Sequence, residues 1–153
     1  MGDRVSIEFV DVDDREQDTV VLFNHWGGDC FVETAQMFIS DLNECSEQDC
    51  SDPITRREPR VMMVQFLAWI TKKDYYPNIT DNGFMSRSLY FGKDKDDGDA
   101  SDRGHYVLCA KTGYIYEHHQ YNWETHEQET TFYSSKAHIE AQERALTMTN
   151  SSN

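Results

Sequence analysis

Several groups of residues in this 153-residue chain have types and spacings that could do chemistry. The first is His25-Trp26-Gly27-Gly28-Asp29. The glycine pair frees the backbone from the usual φ restriction, and aspartate is a good helix N-cap. Where a strand meets a helix, such a turn exposes backbone N–H groups that can hold an anion, with His25 as an acid–base or hydrogen-bonding group. The chemistry would be capture of a phosphorylated metabolite or nucleotide by His25, Trp26, Gly27, Gly28 and Asp29. The plainer reading is a tight strand-to-helix turn in which Trp26 plugs the edge of the core. A phosphate loop would need more glycines and a lysine.

The second group is the run Asp94-Lys95-Asp96-Asp97-Gly98-Asp99-Ala100-Ser101-Asp102. Clustered carboxylates suit hard cations, but this run departs from the EF-hand loop. Its glycine falls one position early and no glutamate closes it. Starting at Asp99 instead puts Arg103 and Ala110 where ligands belong, so a solvated loop is the better reading. The third group, His118, His119 and His126 with Glu117 and Glu124, invites a divalent metal. On a strand, His118 and His119 point to opposite faces and cannot share one ion. Cys45 and Cys50 have the wrong spacing for a zinc knuckle, Cys30 lacks an identifiable base, and no serine sits in a nucleophile elbow. With Cys109 they read as reduced thiols. No catalytic residue, metal or cofactor is expected.

The elements that must position these groups follow from periodicity. Val5 to Phe9 alternates as a half-buried strand, and Thr19 to Phe23 is a central strand joined to it by a charged turn. Phe31, Val32, Ala35, Phe38, Ile39 and Leu42 form one helical stripe ending near Glu44. Pro59 opens a second helix over 59–72, apolar nearly all round and therefore expected to be sandwiched in the core. Short strands are predicted over 88–92, 105–110 and 114–118, then a polar stretch over 120–134 with scattered aromatics. Ser135 could cap a last helix reaching Met148. The predicted fold is α+β: an antiparallel sheet of about five strands with two main helices on one face, residues 1–134 as one domain and 135–153 as a C-terminal helix and tail.

Charge narrows the function classes. Asp and Glu number 28 against 14 Lys and Arg, a formal net charge of −14 with pI near 4.6. Such a surface repels phosphates, which argues against direct nucleic-acid or membrane binding and favours a basic protein partner. Salt adaptation of a housekeeping domain would produce the same balance. No apolar run approaches a bilayer span and the N-terminus lacks a signal-peptide pattern, so a cytoplasmic location is expected.

The stretch Val20 to Gly28, ending in His-Trp-Gly-Gly and followed by an amphipathic helix, resembles a family of small proteins of phages, prophages and related microbial genomes. The resemblance spans about residues 4–117 and brings no established activity, only a mobile-element context. Together with the charge it implies a non-enzymatic interaction protein, of which an anti-CRISPR-like inhibitor occupying a basic nucleic-acid-binding surface is an example. Asp94, Asp96, Asp97, Asp99, Asp102, Glu117, Tyr121, Trp123, Glu124 and Glu127 are the expected partner-binding residues.

Overall fold

The computed structural model describes residues 2–26, 28–47, 56–72, 89–133 and 139–145. β1 (Val5–Val10) and β2 (Val21–Asn24) form the N-terminal hairpin. α1 (Gly28–Glu47) and α2 (Pro59–Lys72) follow, and then β3 (Leu89–Gly92), β4 (His105–Cys109), β5 (Ile115–Asn122) and β6 (Glu127–Phe132). The strands make one sheet of order β3-β2-β1-β4-β5-β6, so the fold is α+β. Its neighbours are antiparallel except β1 and β4, which run parallel with Ser6 opposite His105 and Val10 opposite Cys109. The sheet thus has six strands where about five were expected, the extra one being β6 in the polar stretch.

The parallel pair has a topological cause. β3 adds to the outer edge of β2, while β4 lies beyond β1 and runs in the same direction as β3. A chain joining two such strands must cross the sheet rather than turn in a tight hairpin. Residues 93–104 make that crossing.

Alternation along β1 sends Val5, Ile7 and Phe9 to one face, where both helices pack. Phe66 of α2 is the hub, with ring centroids 5.4 Å from Phe38, 5.8 Å from Phe9 and 5.8 Å from Phe31. Each such ring contributes about 1.5–3 kcal/mol by leaving water. α2 is not enclosed on all sides as its composition predicted: it buries Met62, Met63, Phe66 and Ile70 and leaves Val64 exposed. α1 runs to Glu47, beyond the expected end near Glu44. Among the described residues no helix is long and apolar enough to cross a membrane.

The crossing segment covers the opposite face. Tyr90 stacks on Phe23 at 4.9 Å, and Gly98 lies so close to both rings that a Cβ there would stand 2.7–2.8 Å from their atoms. Phe23 is fully buried as a result. Arg4 pins the far end of the segment by pairing with Asp99 and Asp102. The helical stretch at 139–145 is tied to the start of β5, where the Gln142 amide both accepts from Ile115 N and donates to Ile115 O. The rest of the predicted C-terminal helix lies outside the described residues.

Candidate functional site

On the face away from the helices, the strands align a row of polar side chains. Ser6 Oγ lies 2.9 Å from His105 Nδ1, and His105 Nε2 lies 3.1 Å from Glu8 Oε1. Thr19 donates to the other Glu8 oxygen at 2.7 Å. Opposite His105 on β5 stands His119, with Nδ1 2.8 Å from Thr130 Oγ1 and Nε2 3.0 Å from Glu117 Oε2. Arg15 reaches the second Glu117 oxygen, and the two imidazole centroids are 5.8 Å apart. Burial pushes the Glu8 carboxyl up, but the hydrogen bond and charge of His105, with help from Thr19 and Arg15, outweigh it. Glu8 is held below the ordinary glutamate range.

The connectivity Ser6–His105–Glu8 is that of a nucleophilic triad, and its geometry takes it out of that chemistry. Ser6 is fully buried and His105 is 3% exposed, so no substrate carbonyl reaches Oγ. The serine also sits on Nδ1 and the carboxylate on Nε2, the reverse of the working arrangement. What the row does is satisfy polar groups across the parallel β1–β4 junction. Sequence reading missed all three residues. The signal was the shared side of Ser6 and Glu8 in the alternation of β1, but the partner strand begins about a hundred residues later.

A cavity of about 200 Å³ opens where the crossing segment meets the β5–β6 hairpin. His105, His119, Tyr121, Asp96, Asp99 and Gln128 are among its walls. The Asp94–Asp102 run and the β5–β6 hairpin therefore meet here, the hairpin contributing His119, Tyr121 and Gln128 rather than its acids. The charged turn between β1 and β2 lies at the other end of the strands, with Asp13 paired to Lys111.

The aspartates of the crossing segment are largely occupied by their own chain. Asp94 accepts from Asp96 N at 2.9 Å, Asp97 from Lys93 N at 2.6 Å, and Asp99 from Ser101 N at 3.0 Å. Asp102 accepts from Arg4 N and Nε, and these bonds hold its carboxyl down to about 2. Asp96 pairs with Lys95 at 3.1 Å, yet its side chain remains 79% exposed. The hairpin differs. All six residues of β6 are exposed, as are Glu124 and Trp123. Tyr121 supports Trp123 edge-on at 4.7 Å, whereas Glu117 is half-buried beneath Arg15 and His119.

The turn at 25–29 is closed by the chain's own N-terminus. Asp3 N donates to His25 O at 2.8 Å and Gly28 N donates to Asp3 O at 2.9 Å. The Asp3 carboxylate, paired with Arg103, occupies the place a Gly28 side chain would take, so an incoming anion would meet a negative charge. Gly28, at φ 57°, heads α1, which puts Asp29 in the first turn rather than at the cap. Trp26 is exposed and meets the His25 ring edge-on instead of plugging the core, and Gly27 lies outside the described residues.

His118 and His119 do face opposite sides of β5. His118 stacks on Tyr106 at 4.1 Å and bonds to Arg103 O, while His126 stands in the hairpin turn near the Tyr121 hydroxyl. Among the described residues no group of three or more His, Cys, Asp and Glu side chains could hold a metal ion. Cys30 is exposed, Cys109 is buried, and Cys50 lies outside the described residues. Comparison of the chain with protein-family models, with curated proteins and with solved structures finds no match.

Proposed function

We propose that this protein acts by binding a basic protein partner, without catalysing a reaction, and that the β5–β6 hairpin is the surface it presents. The observation that carries the reading is the outer strand itself. β6 ends the sheet, is exposed at every position, and adjoins a turn tipped by Trp123, which is 65% exposed. Glu124, Glu127 and Glu129, all exposed, follow that tryptophan within six residues of the chain. A projecting tryptophan is the residue type most often found at the energetic centre of an interface, and the flanking acids steer a basic partner and fix its register. The partner class this favours is a protein with a cationic groove, such as a nucleic-acid-binding component of a defence system. Carboxylates on the hairpin would then stand where phosphates otherwise lie, as in an anti-CRISPR-like inhibitor.

The test is affinity capture from lysate across a salt series, with the natural chain beside a Glu124→Lys/Glu127→Lys/Glu129→Lys variant. A basic protein held by the natural chain, released as salt rises and not held by the variant, is the expected result. Equal capture by both chains would remove the hairpin acids from the interface.

A further inference from the structure

We propose that an extended basic segment of the partner adds to β6 as a further strand of the sheet, an inference that rests on the interaction reading above and names how that surface is used. The backbone carries it. Tyr133 N donates to Tyr116 O, and the β5–β6 register runs without a shift from Glu117 opposite Phe132 to Asn122 opposite Glu127. Residues that exchange hydrogen bonds alternate along an antiparallel pair, so Glu127, Glu129 and Thr131 turn their N–H and C=O groups toward β5. Gln128, Thr130 and Phe132 turn theirs outward. Among the described residues no backbone or side-chain group takes up those outward groups. Beyond the end of β6 the chain does cover its own edge, where the Gln142 amide accepts from Ile115 N and donates to Ile115 O.

An open edge of this kind is a template for another strand, and its side chains decide which one. β6 reads Glu-Gln-Glu-Thr-Thr-Phe, with no proline and no bulge to prevent pairing. What it has instead is charge. Side chains alternate across a strand, so Glu127 and Glu129 share one face while Gln128, Thr130 and Phe132 share the other. A strand with Lys or Arg at alternate positions sets a cation opposite each glutamate. On the other face, a β-branched residue opposite Phe132 covers a ring that is otherwise 59% exposed. A second copy of this chain is the wrong occupant, because it brings a further net charge of −14. Acids that repel the chain's own kind thereby select a basic strand.

The experiment is an NMR titration of the full chain with the capped hexapeptide Val-Thr-Val-Lys-Val-Lys, which in antiparallel register places its lysines opposite Glu129 and Glu127. Saturable binding that weakens with salt is expected. At nine-tenths saturation, exchange of the Gln128, Thr130 and Phe132 amides should slow about tenfold, while Glu127, Glu129 and Thr131 change little. The same peptide N-methylated at its three valines keeps its charge but loses the donors that face β6, and should not bind. Equal binding of the methylated peptide, or slowed exchange without the alternation, would overturn strand addition in favour of a charge contact. Slowed exchange on raising protein concentration with no peptide present would overturn the choice of occupant in favour of a second copy.

Gln128→Pro supplies the matching change in the protein. It removes an outward N–H without breaking a β5–β6 bond, and peptide binding should be lost in it but kept in Gln128→Ala. Because Gln128→Pro leaves Trp123 and every charge in place, it also keeps the two readings apart in capture from lysate. A basic protein held equally by Gln128→Pro and the natural chain would sink strand addition and leave the interaction reading standing. Equal capture by the Glu124→Lys/Glu127→Lys/Glu129→Lys variant would instead remove that reading, and this inference with it.

Discussion

The crossing segment and the β5–β6 hairpin carry similar acidic sequences and use them in opposite ways. In the segment, aspartates close turns on backbone N–H groups two or four residues away and clamp Arg4 from the far end of the chain. The charge there folds the loop over Phe23 and the histidine row. In the hairpin, Glu127 is exposed, and Glu129, though bonded to Asn122, lies on β6, which ends the sheet among the described residues. Net charge therefore does not measure binding surface. Only carboxylates without an internal task remain for a partner, and by that criterion the hairpin outranks the loop.

Substitutions on the two sides should separate sharply in stability. The largest effect is expected beneath the segment, at Glu8→Ala. It strips the buried His105 Nε2 and the Thr19 hydroxyl of their acceptor, which costs about 3 kcal/mol in chemical denaturation. Because the folded Glu8 carboxyl titrates below its ordinary 4.5, its contribution is complete above that value and lost as pH falls through the depressed one. The gap between natural and variant chains should therefore close in acid. A gap independent of pH would mean that packing, not the charged pair, is at work. Next comes Gly98→Val. Its side chain must displace the buried Phe23 ring or the stacked Tyr90 ring, at about 2 kcal/mol. A denaturation midpoint equal to that of the natural chain would show that the segment does not press on the sheet.

Asp102→Asn should have a smaller and more local effect. The natural carboxyl is held down to about 2 against an ordinary 3.8, so its hold on Arg4 is fully present above 3.8 and fades toward 2. Amides 99–104 should exchange faster in the variant near neutral pH and equally fast in both chains at the acid end. Unchanged exchange near neutral pH would assign the anchoring to Asp99 alone.

Much of this architecture was legible in the sequence, and the exceptions share a cause. Val5 to Phe9 alternated because one face of β1 meets helices. α2 matched its predicted span because Pro59 opens it with φ already set. By contrast β6, reading Glu-Gln-Glu-Thr-Thr-Phe, has no alternation because neither of its faces is buried. A strand at an exposed edge loses the pattern by which strands are recognised. The parallel β1–β4 pairing, and with it the Ser6–His105–Glu8 row, depends on contacts between distant segments that no local window contains. The Asp-rich run did hold a readable signal: an aspartate bonding to the backbone two residues on is ordinary turn chemistry, seen at Asp11, Asp94 and Asp99. Counting the run only as charge hid its structural task.

The smallest stability effect, and the most informative, is expected on the hairpin. Glu127→Lys with Glu129→Lys should move stability by about 0.5 kcal/mol or less, since both positions are exposed. The loss is confined to the bond from Asn122 to Glu129, itself exposed and easily replaced by water. Partner binding should nevertheless weaken and lose its dependence on salt, because the attraction that salt screens has been reversed. Trp123→Ala offers the complementary measurement. It leaves the charge alone, so it should raise the dissociation rate while the salt dependence persists. If the double charge reversal destabilised the fold as much as Gly98→Val, the hairpin acids would be structural like those of the crossing segment. The contrast between the two regions would then collapse. If stability held and binding fell, the division between carboxylates that build the fold and carboxylates that meet a partner would stand.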